Sequence, residues 1–388
     1  MMQENRCRDA AKLLQKKKGT SVLLRNMDYI ISRMNREEEQ TFLLEFPEDC
    51  STLILLQLLF RYEGRQKKDG RIFKFTKYNL MKVHYETQEE SEKCQSRLTE
   101  EQVKEVGKMI RSKLTEKLRN RLGKVYIEPS MKNYALPLAE NTSQGGFGVL
   151  TKGSRIPIDE GKKLRAFTYW EKVNDIDLSV FALTENGNRR EFSWRTMSRY
   201  QAGAITYSGD ETSGYSGGSE YFDINIPEFR ALYSEYQYLI FCDNVYSGTN
   251  FSKCFCKAGY MLRDWEDSGQ VYEPKTVKSA YRINCESTFA YLFGIDLLTN
   301  EIIWLNIAKD SKSRVAGDTT LSFLTEYFHL TEIMNMYDFF SMMAEKIVGD
   351  PMKADVVVTD CEIECADEIE IIREYYFEKI RALMEDAK

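Results

Sequence analysis

Between residues 147 and 310 the chain breaks into short β-like runs, and this limits its fold more than any other feature. "KLRAFTYWE", "DIDLSVFAL", "EFSWRTM", "YFDINI", "YQYLIFCDNVYS", "CFCKAGYML", "AYRINC", "FAYLFGIDL" and "EIIWLNIA" succeed one another with turn residues between them. Aromatic and β-branched residues at this spacing fit an antiparallel β-sandwich. Asn186-Gly187 and Thr299-Asn300 read as hairpin tips.

The flanks have a helical texture. In "LTEEQVKEVGKMIRSKLTEKLRNRL" Thr99 and Gln102 form a capping box, and Val103, Val106, Ile110, Leu114 and Leu118 mark one face. Ser51 or Thr52 caps the apolar run Leu53–Phe60. "GTSVLLRNMDYIISRMN" reads as a further helix, and "GRIFKFTKYNLMKVHYE" as a strand pair. After 318, "TEIMNMYDFFSMMAEKIVG" reads as a helix, "KADVVVTD" as a strand and "ADEIEIIREYYFEKIRALMEDA" as a closing amphipathic helix. The expected class is α+β. A mainly helical, basic region spans 1–125 and a Pro/Gly-punctuated linker 126–146. The sandwich spans 147–310, and helices with one strand pack on it over 311–388.

Charge divides the chain along the same line. The net charge is −6, but residues 1–130 carry +7 and the remainder −13. Two units with different partners, or with attraction for each other, follow from that asymmetry. No apolar run is long enough for a membrane helix, and the N-terminus has no apolar stretch of a secretory signal. Nine cysteines without regular spacing fit reduced thiols and a cytoplasmic location.

Asp175 and Asp177 open one strand two residues apart, so their carboxylates share a face and repel each other. The glycine-rich loop "YSGDETSGYSGGSEYFDINI" supplies Asp210, Glu211 and Glu220. Oxygen donors of this kind suit calcium, which takes six to eight oxygens, and offer nothing to zinc. The candidate ligands are therefore Asp175, Asp177, Asp210, Glu211 and Glu220.

Other chemistry has less to stand on. His84 and His329 lie in contexts that read as surface or core-edge positions, and no nucleophile elbow, phosphate loop or HExxH motif occurs. No catalytic role is expected. Cys254 and Cys256 share a strand face, and Cys361 and Cys365 stand one helical turn apart; together they are a four-thiol zinc reading without finger spacing. "GGFG" at 145–148 reads as a turn. Lys74, Lys77 and Lys82 with Phe75 and Tyr78 are the nucleic-acid reading of the basic front, set against a half-buried strand with wet lysines.

The blocks "DIDLSVFALTENG", "YSGDETSG…GSEYFDINI", "YLIFCDNVYSGTNFSKCFCKAGYML" and "FAYLFGIDLLTNEIIWLNIA" resemble the TerD tellurium-resistance and stress-response family over about residues 147–310. "GKVYIEPSMKNYALPL" and "TKGSRIPIDEGKKLRAFTYW" resemble longer bacterial cytoplasmic proteins with a TerD-like domain behind a helical region. The resemblance implies a β-sandwich, with calcium bound in several members. The family's paired aspartates fall on Asp175 and Asp177, its Gly-Asp on Gly209-Asp210, and its later acidic cluster on Ser219 and Glu220. Tyr215, Ser216, Tyr246 and Ser247 stand where the family often has acidic or His-Asp residues, which lowers the ligand charge. The expected function is a non-catalytic stress-response protein that binds calcium or a protein partner at the acidic end. The alternatives are a metal-free interaction scaffold and a nucleic-acid binder through the basic front.

Overall fold

The computed structural model describes residues 6–64, 72–77, 80–93, 98–138, 146–147, 149–159, 161–198, 203–248, 250–265, 273–309 and 318–385. The chain begins with α1 (Cys7–Lys18), α2 (Thr20–Arg25), α3 (Met27–Ile31), α4 (Arg36–Leu44) and α5 (Thr52–Glu63). The hairpin β1 (Ile72–Lys77) and β2 (Leu80–Tyr85), then α6 (Gln88–Lys93), α7 (Glu100–Leu118) and β3 (Leu122–Ile127) complete the front. Ser51 caps α5 by accepting from the Ile54 N–H at 3.3 Å. Thr99 and Gln102 form the capping box of α7, whose Val106, Ile110, Leu114 and Leu118 are fully buried. The single helix expected over 19–35 divides at Asn26, whose side-chain amide donates to the Val22 carbonyl at 2.8 Å.

The middle of the chain is β4 (Gly146–Phe147), β5 (Arg155–Pro157), β6 (Lys163–Glu171), β7 (Asp175–Leu183), β8 (Arg189–Phe192), β9 (Ile205–Tyr207) and β10 (Gly218–Ile224). The short helix α8 (Ile226–Leu232) follows, then β11 (Tyr238–Ser247), β12 (Phe255–Arg263), β13 (Val277–Arg282), β14 (Phe289–Asp296) and β15 (Glu301–Lys309). They build two antiparallel sheets. One runs β4-β13-β12-β6-β10-β9. The other runs β1-β2-β15-β14-β11-β7-β8, with β5 also on β15. The basic hairpin joins this second sheet through one parallel bridge, Lys309 to Met81. Turns at Gly187 and Asn300, both at positive φ, close the β7–β8 and β14–β15 hairpins. Residues of both sheets share one apolar cluster. Tyr260 of β12 lies 5.7 Å from Phe293 and 6.5 Å from Trp304, ring to ring, across the two sheets.

The C-terminal segment departs from expectation. After α9 (Asp318–Phe328), α10 (Leu330–Ile333) and α11 (Met336–Met343) come three strands rather than one: β16 (Ala344–Ile347), β17 (Val356–Thr359) and β18 (Glu370–Arg373), before α12 (Phe377–Met384). With β3 they form a four-stranded parallel sheet in the order β16-β3-β17-β18. Thus β3, at the edge of the helical front, belongs with the C-terminus. The helix expected over 331–349 is interrupted because Asn335 starts a new helix, its side chain accepting from the Asp338 N–H at 2.9 Å. The closing helix is only half as long as its spacing implies. β17 is buried along its whole length and needs backbone partners on both edges, and the β-branched run Ile371-Ile372 supplies one of them. The apolar face of α9, with Leu321, Phe323, Leu324 and Phe328, does cover the eight-stranded sheet at Phe181, Leu183 and Ile240.

Truncation after Asp360 would remove the buried side chains Ile372, Ile380 and Met384. Each is worth roughly 1.5–3 kcal/mol, so thermal unfolding of the truncated chain is expected well below that of the full chain. An unchanged melting temperature would contradict the packing described.

Candidate metal centre

The first half of β7 has a free edge. β8 pairs only with Val180 to Leu183, so residues 175–178 are flanked by β11 on one side alone among the described strands. The loop 208–217 fills that edge. The Gly214 N–H donates to the Asn174 carbonyl at 2.8 Å, and the Lys172 N–H to the Tyr215 carbonyl at 2.8 Å. The glycines of this loop serve packing: a Cβ at Gly214 or Gly218 would collide with the Trp170 indole. Gly209, at φ +96°, makes the turn that precedes Asp210.

This arrangement gathers three of the five candidate carboxylates. Asp175, Asp177 and Asp210 each offer an oxygen, and these oxygens lie within 4.8 Å of one another. Asp175 and Asp177 are buried at 6% and 7% exposure, while Asp210 faces solvent. Burial, then Asp177, Asp210 and Glu211, push the Asp175 carboxyl up to about 6. Asp177 is raised chiefly by burial, against an Asn244 amide that donates to it at 3.3 Å and the positive field of Arg195. Two buried oxygens here have no hydrogen-bond partner among the described residues: Asp175 Oδ1 and Ser247 Oγ. They belong to facing positions of the β7–β11 pairing, where a bulge brings Ser247 opposite Asp175.

Glu211 and Glu220 lie outside this group. The Glu211 carboxylate turns back to accept the Ser213 N–H at 2.8 Å. Glu220 is fully buried and accepts the Leu178 N–H at 2.9 Å and the Glu211 N–H at 3.2 Å. It is a clamp between β10, the unpaired stretch of β7 and the loop. Burial pushes its carboxyl up to about 8 despite those bonds. Behind it Asp243, also pushed by burial to about 8, accepts the Thr168 hydroxyl at 2.8 Å. Asp223, in the same acidic stretch of sequence, is neutralised by Arg165 at 2.6 Å and Lys163 at 3.6 Å. Asn244 and Ser247 were not candidates from sequence, because only the β7–β11 register places them beside the aspartates.

The remaining candidates do not converge on a site. Cys361 and Cys365 lie in irregular chain after β17, not on a helix, and Cys254 and Cys256 are buried in the core. The acidic trio is the only group of three or more among the described residues whose ligand atoms converge closely enough that they could hold a metal ion. His84 pairs with Glu90 at 3.1 Å and His329 with Glu332 at 2.8 Å. The side chains of Lys74, Phe75, Lys77 and Lys82, and all of Tyr78, lie outside the described residues, as do Gly145 and Gly148. No helix among the described residues is long and apolar enough to cross a membrane. No family model, curated protein or solved structure matches the chain.

The raised carboxyls fix the sign of a pH effect. Folded Asp175 keeps its proton up to about pH 6, whereas an unfolded aspartate loses it near about pH 4. Its contribution is therefore complete below about pH 4 and is lost as pH rises through about 6. Glu220 and Asp243 extend that loss to about pH 8. With chelator present, the melting temperature should fall from pH 5 to 8, each tenfold in proton affinity being worth about 1.4 kcal/mol. Asp175→Asn should remove the part of the fall below pH 6 and raise the melting temperature at neutral pH. A profile that the substitution leaves unaltered would contradict the burial of this carboxyl among like charges.

Proposed function

We propose that the chain is a non-catalytic TerD-like protein in which the two antiparallel sheets form a β-sandwich whose acidic end binds calcium. The observation that carries this reading is the pair of orphaned buried oxygens, Asp175 Oδ1 and Ser247 Oγ, beside three converging carboxylates. A buried acceptor without a donor costs about 1–3 kcal/mol, more when charged. A hard cation removes that cost and the mutual repulsion together. The donors are all oxygen, with neither imidazole nor thiol within the group, which favours calcium over zinc. Asp175, Asp177 and Asp210 would hold the ion, with Ser247 as a neutral ligand and water on the open side at Asp210. Binding of a protein partner is the role this reading gives to the domain as a stress-response module.

A metal-free scaffold is the second reading. It is favoured by the Asp175 carboxyl at about 6, since a proton shared within the group relieves part of the repulsion without an ion.

Millimolar calcium should raise the melting temperature of chelator-treated protein. A hundredfold excess over Kd stabilises by about 2.7 kcal/mol. Magnesium should do less, because it demands a stricter octahedron. The double variant Asp175→Asn, Asp210→Asn should lose the calcium response and melt higher than wild type in chelator. A wild type indifferent to calcium leaves the metal-free reading in place.

A further inference from the structure

We infer that the surface at the end of β8 and the end of α8 docks an acidic, partly apolar segment of another protein. Two arginines here lie over aromatic rings. The Arg190 guanidinium lies 4.7 Å from the centre of the Tyr233 ring and 5.3 Å from that of Phe192. Arg195 lies 5.1 Å from the Trp194 ring. Both arginines are exposed, and neither forms an ion pair with a described residue. Several arginines elsewhere in the described fold meet a carboxylate, as Arg111 meets Glu63, Arg155 meets Asp296 and Arg165 meets Asp223.

A guanidinium that rests on a ring has less side-chain freedom to lose when a carboxylate arrives. The platform beneath is rigid. Phe192, Phe229 and Tyr233 pack ring to ring at 4.8–5.8 Å, and Phe192 and Phe229 are buried. Trp194, the ring under Arg195, is 38% exposed, and Leu232, next in the chain to the ring under Arg190, is 60% exposed. Tryptophan, tyrosine and arginine around a desolvating apolar patch are the composition of binding hot spots.

The charge pattern selects the occupant. Arg190 and Arg195 call for carboxylates, which they can take two-pronged. A nucleic acid, with phosphates at every step, would also meet Asp177 and Glu191, which share the electrostatic surroundings of Arg195. A protein segment with acidic residues separated by apolar ones presents its charges only where the arginines stand.

The test is fluorescence anisotropy of the full chain with a labelled peptide of alternating glutamate and leucine. Saturable binding that weakens with salt is expected, and a glutamine–leucine peptide should not bind. Arg195→Gln and the double variant with Arg190→Gln should weaken binding roughly tenfold or more, and Trp194→Ala should weaken it at low and high salt alike. Lys353→Gln, on the exposed surface near the parallel sheet, should leave it unchanged. Melting temperatures equal to wild type show that the variants fold; if the double variant melts lower, Arg195→Gln alone decides. Absence of peptide binding, equal affinity of the arginine variants, or tighter arginine-dependent binding of a single-stranded oligonucleotide would overturn the inference.

Discussion

Glu220 holds the acidic end together. Its carboxylate rises from β10, takes the backbone N–H of Leu178 on β7 and that of Glu211 in the loop, and so ties three segments at one buried point. The Leu178 N–H would otherwise be a buried donor on the unpaired stretch of β7. With the Gly214–Asn174 and Lys172–Tyr215 backbone bonds, this clamp keeps Asp210 over Asp175 and Asp177. The cost is a buried carboxyl pushed to about 8. That cost explains why the site is not simply a set of surface acids: its geometry is set from inside the fold, where charge is expensive to place.

The β7–β8 pairing carries Arg190 opposite Ala182, while Arg195, beyond the end of β8, lies within electrostatic reach of Asp177. Arg195 lowers the proton affinity of Asp177, and burial and the neighbouring acids raise it. Neutralising the trio would therefore change the field at Arg195, so occupancy of the acidic end and docking at the arginine platform are coupled through charge even where no atoms touch. Calcium at the trio would strengthen docking of an acidic segment by charge, because it cancels negative charge beside Arg195.

Much of this could be read along the chain. The shared face of Asp175 and Asp177 follows from period two, and the hairpin tips at Gly187 and Asn300 from turn chemistry. The caps at Ser51 and Thr99 follow from local hydrogen bonding. What failed to show was long-range pairing. The strand at Ile371-Ile372 carries helical spacing, and only the buried edge of β17 selects the extended form. Glu220 reads as one more ligand because its alternation looks like that of its neighbours; that it faces the interior, beside Phe222 and Ile224, depends on which sheet face the core occupies. Ser247 reads as a lost ligand and proves to be the hydroxyl opposite Asp175.

Terbium luminescence addresses the acidic end most directly. Terbium replaces calcium at oxygen sites, and its emission reports proximity to excited aromatic rings; Trp170 packs under the glycines of the ligand-bearing loop. If Asp175, Asp177 and Asp210 form a cation site, excitation of the protein should give terbium emission that saturates, is reversed by calcium more readily than by magnesium, and is lost in Asp177→Asn. Emission that never saturates, or that is as strong in Asp177→Asn as in wild type, would contradict it.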